Sequence, residues 1–239
     1  MGNLCGTLGS SMPRDRPDSE HLTIYPNGAH HATVIWLHGL GDSGHSWHKR
    51  VLDARPLPGV KFMFPTAPFR SVTIHGGMKM PAWFDIYGIR PEDAEDEVGI
   101  DKASQLLARL VAAEMASGIP PHQIVLVGFS QGGALAAHTC YRVLDQVLGG
   151  LILLGSYLPL ASTFSIRVGS KTPALLCHGD RDLLVPLQYA KGSNEILLKH
   201  GVATDLKIYK GLGHCVNDAE IVDVFNFLQT RLVCPKPAR

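Results

Sequence analysis

The sequence predicts an α/β fold: a mostly parallel central sheet with helices on both faces and no cap domain, forming one domain over residues 32–234. Short runs of apolar and β-branched residues alternate with stretches of helical period. The alternation continues for about 200 residues with neither a repeat nor an internal linker, the pattern of a doubly wound sheet. Apolar residues make up 45% of the chain and charged residues 18%, enough to fill one large core. Length alone, 239 residues, admits one or two domains, so the order of elements decides.

Residues 1–31 carry Gly, Ser, Pro and charge, as in Gly9-Ser-Ser-Met-Pro-Arg-Asp-Arg-Pro-Asp18, and predict a flexible N-terminal tail. Buried strands are expected at residues 33–37, 61–64, 124–127, 150–154, 174–177 and 206–209. Residues 99–117 place Ile100, Ala103, Leu107, Leu110, Val111 and Met115 on one helical face and stop at Gly118, with Pro120 beyond. A helical stretch at 134–143 follows the third strand. Residues 187–200, closed by Gly201, and residues 219–232, with Ile221, Val222, Phe225, Leu228 and Leu232 inward, predict two more helices. Residues 235–239 are expected to form a short C-terminal tail.

Composition excludes several function classes. Lys and Arg number 22 against 21 Asp and Glu, and no long basic run appears, so no nucleic-acid partner is expected. The five cysteines (Cys5, Cys140, Cys177, Cys215, Cys234) are odd in number, scattered and without a CxxC pair, which predicts reduced thiols and a cytoplasmic protein. No charged segment followed by an apolar core marks a secretory signal, and no apolar stretch approaches the roughly 20 residues that span a bilayer. His30-His31 and His45-Ser46-Trp47-His48 lack the H-E-x-x-H frame of a zinc hydrolase, and no G-x-G-x-x-G or P-loop occurs. Neither a metal nor another cofactor is expected.

The chemistry concentrates at strand ends. Strand 124–127 runs into Gly128-Phe129-Ser130-Gln131-Gly132-Gly133 and then a helix. In that setting G-x-S-x-G is a nucleophile elbow: a sharp turn leaves no room for side chains at the flanking positions and lifts the serine oxygen above the sheet. The following helix N-terminus adds partial positive charge where an oxyanion forms. Isolated from its context, the same serine reads as an ordinary helix cap. The α/β-hydrolase arrangement then requires an acid and a histidine, in that order. Strand 174–177 ends in His178-Gly-Asp-Arg-Asp182, offering Asp180 or Asp182, and strand 206–209 ends in Lys210-Gly-Leu-Gly-His214. His214 is the expected base, and a surface-loop histidine is the plainer alternative in a chain with 12 of them. Strand 33–37 ends in His38-Gly-Leu-Gly-Asp42, a glycine-flanked loop able to lend one oxyanion N–H, with the other from Gln131.

Six ordered motifs carry a family resemblance: His38-Gly-Leu-Gly-Asp42, Pro65-Thr-Ala-Pro68, Met80-Pro-Ala-Trp-Phe-Asp85, Gly128-Phe-Ser-Gln-Gly-Gly133, His178-Gly-Asp-Arg-Asp182 with Val185-Pro186, and Gly211-Leu-Gly-His214. From about residue 33 to 232 the chain resembles the acyl-protein thioesterases, in the phospholipase/carboxylesterase group that includes small lysophospholipases. The resemblance implies an α/β-hydrolase fold, a triad of Ser130, Asp182 and His214, and oxyanion N–H groups from Leu40 and Gln131. It further implies an acyl channel lined by Met80, Pro81, Trp83 and Phe84, with Val72, Ile74 and Met78 from the loop before them, and by Tyr157, Leu158 and Leu184. Tyr157 stands where many relatives carry Trp.

The activity expected is removal of S-linked fatty acyl groups from proteins. A lysophospholipase or broad carboxylesterase is the nearest enzymatic alternative, and a non-catalytic hydrolase-fold binding protein the alternative from another class. Residues 155–172 are too short for a helical cap, which suits an acyl group presented on a protein. The expected partners are S-acylated proteins or lysophospholipids, with the chain itself a monomer or weak homodimer. In Met1-Gly-Asn-Leu-Cys-Gly-Thr7, Gly2 offers an N-myristoylation site with Gly6 in place of the usual Ser or Thr, and Cys5 offers S-acylation. Two such chains are what stable anchoring requires, so transient membrane association through N-terminal acylation is expected.

Overall fold

The computed structural model describes residues 21–54, 56–90, 92–167 and 171–232. Seven strands form the central sheet: β1 (Leu22–Ile24), β2 (Ala32–Leu37), β3 (Val60–Phe64), then β6 (Ile124–Phe129), β7 (Gly150–Leu154), β8 (Ala174–Gly179) and β9 (Thr204–Tyr209). Between them in the chain, β4 (Phe69–Val72) and β5 (Met78–Pro81) make a separate antiparallel hairpin. Spatial order in the sheet is β1-β3-β2-β6-β7-β8-β9, and every pairing is parallel except β1 with β3. Parallel strands must be covered on both faces. Five helices cover them: α1 (Gly44–Asp53), α2 (Glu97–Ala116), α3 (Gln131–His138), α4 (Leu187–Lys199) and α5 (Asp218–Arg231).

Alternation along the strands sorts the core into two layers. Ile35, Leu37, Leu126, Leu151, Leu153 and Leu176 face α2, α3 and α4, meeting Ile100, Leu107, Val111, Leu135 and Leu197. Val34, Trp36, Val125, Val127, Ile152 and Leu154 face the other way, onto Trp47 and Val51 of α1 and Ile221, Val224, Phe225 and Leu228 of α5. Each strand therefore feeds both layers, and its carboxyl end is held from above and below.

The sheet begins earlier than the sequence suggests. The expected tail 1–31 ends too late, because Leu22 pairs with Phe64 and Ile24 with Phe62, and both side chains pack against the α1/α5 layer. Three residues of strand, closing the β3 edge, give too short a pattern to read by periodicity. Helix α1 also went unread, since it buries only Gly44, Trp47 and Val51 in an otherwise polar run. The stretch expected to be helical at 134–143 starts at Gln131 and gives way to a single π turn at Thr139–Val143, where Tyr141 is buried with its hydroxyl donating to the Thr172 carbonyl at 2.8 Å. Among the described residues no helix is long and apolar enough to cross a membrane.

Candidate active site

Strand β6 delivers Ser130 to the carboxyl edge of the sheet in a conformation that side chains rarely adopt, φ 52° and ψ −122°. Such strain persists only where the surroundings enforce it. Here the Ser130 amide donates to Leu154 O (2.9 Å) on β7, and the Ser130 carbonyl accepts the Ser156 hydroxyl (2.7 Å). A side chain at Gly128 would meet the Gly132 backbone at 2.4 Å, and one at Gly132 would meet His38 O at 2.5 Å. These two glycines let the elbow close and let it lie against the 38–42 loop.

The loop after β9 brings His214 over this serine. Nε2 of His214 lies 2.9 Å from Ser130 Oγ, and Nδ1 lies 2.7 Å from Asp182 Oδ2. Asp182 is buried in the loop after β8, where its Oδ1 accepts the Leu184 amide (3.0 Å) and the Val185 amide (2.8 Å). Those bonds fix the carboxylate and leave Oδ2 for the imidazole. Asp180, the other acid open to sequence reasoning, is turned away: its Oδ1 accepts the Gly211 amide, tying the two loops together. His178 is buried, donates Nε2–H to Val185 O (2.7 Å) and lies 3.5 Å from Asp182 Oδ2. Burial lowers its pKa, which keeps it neutral and outside any competition for the Asp182 charge.

An aromatic stack supports the histidine. The Phe129 ring lies 4.8 Å from that of His214, Trp47 lies 5.7 Å from Phe129, and Trp36 lies 5.2 Å from Trp47. Helix α1, which the sequence pattern does not reveal, thus backs the rings of Phe129 and His214. It also lines a cleft of about 490 Å³ at the side of His214, with Asp42, Lys49, Arg50, Asp53, Phe129 and Cys215 in its wall. No motif marks the α1 positions in this wall; the one signal for them is the Trp47/Val51 spacing next to the glycine loop.

Among the described residues, the Leu40 and Gln131 amides beside Ser130 have no acceptor. Gln131 opens α3, so its N–H has no intrahelical partner, and Leu40 N–H has no backbone or side-chain acceptor among the described residues. Their loops are in contact, Gly39 approaching Ser130 Cβ to within 3.3 Å of a side chain built there. A strained hydroxyl in contact with an imidazole–carboxylate pair, beside two unmatched amides, is equipped for nucleophilic attack on a carbonyl carbon.

The residues expected to line an acyl channel separate into two groups. Met80 and Pro81 are half-buried beside the 38–42 loop, where Pro81 O accepts the Gly41 amide (2.9 Å). Ile74, Met78 and Leu184 are exposed, and Tyr157 is half-buried with its ring 5.9 Å from Tyr189. Trp83, Phe84, Leu158 and Val72 are buried. The Trp83 indole N–H donates to His38 O (2.8 Å), and the Leu158 amide donates to Ser193 Oγ in the interior (2.9 Å). Gly2 and Cys5, the candidate lipidation sites, lie outside the described residues.

Fold and site together define an α/β hydrolase. Residues 19–232 match the phospholipase/carboxylesterase family. The chain is 37% identical over 207 residues to an acyl-protein thioesterase 1 homolog of Dictyostelium discoideum, covering 85% of this chain and 92% of that protein. It is 39% identical over 229 residues to an acyl-protein thioesterase 1 of Gibberella zeae, covering 87% and 94%. Among solved structures, acyl-protein thioesterase 2 of Zea mays superposes with a TM-score of 0.78 at 30% identity, covering 90% of this chain and 99% of that one. The chain belongs to the phospholipase/carboxylesterase family of hydrolases and has an esterase or thioesterase function.

Proposed function

We propose that the protein hydrolyses S-linked fatty acyl groups, palmitoyl among them, from proteins through an acyl-enzyme on Ser130. The observation that carries this reading is the continuous contact Ser130 Oγ–His214–Asp182, at 2.9 and 2.7 Å. In the first half-reaction Ser130 Oγ attacks the thioester carbonyl while His214 Nε2 takes its proton. Asp182 holds the imidazole with Nε2 facing the serine and stabilises the imidazolium. The tetrahedral oxygen accepts hydrogen bonds from the Leu40 and Gln131 amides. Collapse breaks the C–S bond, and His214 returns the proton to the departing cysteine sulfur. In the second half, water loses a proton to His214 and attacks the acyl carbon; the C–O bond to Ser130 then breaks as His214 returns that proton to Oγ, releasing the fatty acid.

Three further features support the thioester reading. A thiol of pKa about 8.5 leaves far more easily than an alcohol, so this machinery suffices without a metal. The described residues between β7 and β8 contain only one three-residue turn, Ala161–Thr163, in place of a cap. Relatives that share most of this chain are named acyl-protein thioesterases. The family's description, phospholipase/carboxylesterase, favours lysophospholipid hydrolysis as the second reading. We place the enzyme in the cytoplasm with transient membrane association through acylation at Gly2 and Cys5.

A fluorophosphonate probe is expected to label Ser130, read by mass spectrometry, and an unlabelled serine overturns the mechanism. kcat/KM on an S-palmitoylated peptide is expected to exceed that on lysophosphatidylcholine, and the reverse ranking favours the second reading. Fractionation of cells expressing wild type, Gly2→Ala and Cys5→Ser tests the anchoring: equal solubility of all three removes it.

A further inference from the structure

The segment from Pro81 to Phe84, expected to touch an acyl chain, is instead wired to both sources of the unmatched amides. The Gln131 side chain, 2% exposed as a residue, makes two bonds to it: Oε1 accepts the Trp83 amide (2.9 Å) and Nε2 donates to Phe84 O (2.8 Å). One partner is only a donor and the other only an acceptor, so the orientation of the amide is unambiguous. From the same segment the Trp83 indole donates to His38 O (2.8 Å), and Pro81 O accepts the Gly41 amide (2.9 Å). Those two bonds bracket Leu40. His38 is buried and closes the loop from inside, with Nε2 accepting the Ala67 amide (2.9 Å) and Nδ1–H donating to Gly39 O (2.6 Å).

We propose that the Gln131 side chain is a positioning residue that sets the geometry of the oxyanion hole, clamping its own helix start to the Trp83–Phe84 backbone, which in turn holds the loop carrying Leu40. The backbone of Gln131 supplies one donor; its side chain registers that donor against the other. Leu40 and Gln131 lie on different loops, each three residues beyond the paired Leu37 and Gly128, and among the described residues no hydrogen bond runs directly from the 38–42 loop to residues 130–133. Donors aimed at a developing oxyanion must be held within about half an ångström, because their worth depends on being fixed before charge appears. The clamp does this from the protein interior, out of reach of the substrate.

This inference rests on the acyl-transfer reading of Ser130, and the experiment separates the two. Gln131→Met keeps the bulk and removes both bonds. We expect kcat to fall about 10- to 100-fold with KM unchanged within about twofold, since the hole acts on the transition state more than on the bound substrate. The inhibition constant of an alkyl trifluoromethyl ketone, whose adduct with Ser130 places an oxyanion in the hole, should rise by the same factor that kcat/KM falls. Gln131→Glu gives a signature that a merely structural role does not. A neutral carboxyl can donate to Phe84 O and accept from Trp83, whereas a carboxylate buried there loses the first bond and its pKa rises. Its activity relative to Gln131→Met should therefore be highest at low pH and lost as pH rises past neutrality, where the wild type stays level. If Gln131→Met fails to fold, Trp83→Phe, which keeps an aromatic ring but removes the indole bond to His38 O along with some buried ring volume, is expected to weaken the ketone several-fold. Wild-type kcat/KM and inhibition constant in Gln131→Met, or activity lost while ketone binding stands, overturns the clamp. Wild type that takes no fluorophosphonate overturns the acyl-transfer reading instead.

Discussion

At the amino end of the sheet, Glu114 of α2 is buried with both oxygens engaged: Oε1 by Lys61 Nζ of β3 (2.6 Å), Oε2 by the Thr33 hydroxyl of β2 (2.7 Å), with His30 Nε2 2.9 Å from that hydroxyl. At the carboxyl end the opposite condition holds. Ser130 sits at positive φ, the Leu40 and Gln131 amides have no acceptor among the described residues, and a cleft opens beside His214. Buried polar groups are normally paired, so unpaired ones mark where the molecule keeps capacity for something it does not contain. The same chain closes one end for stability and leaves the other strained and open for chemistry. Substitutions at the two ends should accordingly fail in different currencies, rate at one and stability at the other.

The largest expected effect lies at the open end. Ser130→Ala and His214→Ala should each lower kcat about 10⁴-fold or more, with the double variant little worse, because the groups act as one unit. Steady-state kinetics check this, and multiplicative losses would show that they act separately. The acid sharpens the comparison within a single loop. Asp182→Asn should cost on the order of 10²-fold or more in kcat by disturbing the imidazole, while Asp180→Asn, which keeps an acceptor for the Gly211 amide, should retain most activity. The opposite ranking in kinetics would mean that the contact to His214 is not the one that matters.

Glu114→Ala tests the closed end. It strands the Lys61 ammonium, only 20% exposed, and leaves the Thr33 hydroxyl with His30 alone. The expected loss is about 3 kcal/mol, at the low end for a broken buried pair because Lys61 retains some water. Urea unfolding reads it, and kcat should be unaltered in the protein that remains folded. A large loss of kcat without loss of stability would erase the division between the two ends.

How much of this could be read from the sequence follows the same division. The elbow was legible because its geometry demands particular residues: glycine where backbones approach within 2.4–2.5 Å of a would-be side chain, and a strand and helix on either side. The residues alone left Asp180 and Asp182 open, because both lie in one loop; the family resemblance pointed to Asp182, and in the structure the Leu184 and Val185 amides gather around Asp182 and His214 meets it. Trp83 and Phe84 are ambiguous in the sequence for a related reason. An apolar side chain signals burial whether it faces a ligand or the core, and here the core claims both. Helix α1 escaped because two buried apolar positions in ten residues fall short of a periodic pattern, yet it carries the ring that backs Phe129 and His214.

Glu220 joins the two regimes and gives the smallest expected effect. It is buried at the third position of α5, six residues after His214, where its Oε2 accepts the Asn217 amide (3.0 Å) and the Asn217 side chain accepts the Glu220 amide (2.9 Å). Burial pushes its carboxyl up to about 7 from an ordinary 4.5, with Asp223 adding to the rise and the Asn217 bond and Arg50 opposing it. A carboxyl whose pKa is raised on folding binds more protons folded than unfolded between those values. Its stability contribution is therefore full below about 4.5, falls as pH climbs to about 7 and is level above. Buried histidines such as His38, His138 and His178, whose pKa values are lowered, work in the opposite sense, so the wild-type profile alone is a mixture. Glu220→Gln isolates the term: glutamine keeps the reciprocal cap but does not titrate. Measured by urea unfolding from pH 4.5 to 8, wild type should lose stability relative to Glu220→Gln by about 2 kcal/mol across the window and run parallel to it above. Parallel curves throughout would mean that Glu220 titrates alike in the folded and unfolded protein, and that near neutrality the loop bearing His214 is anchored by a charged carboxylate rather than by a neutral acid.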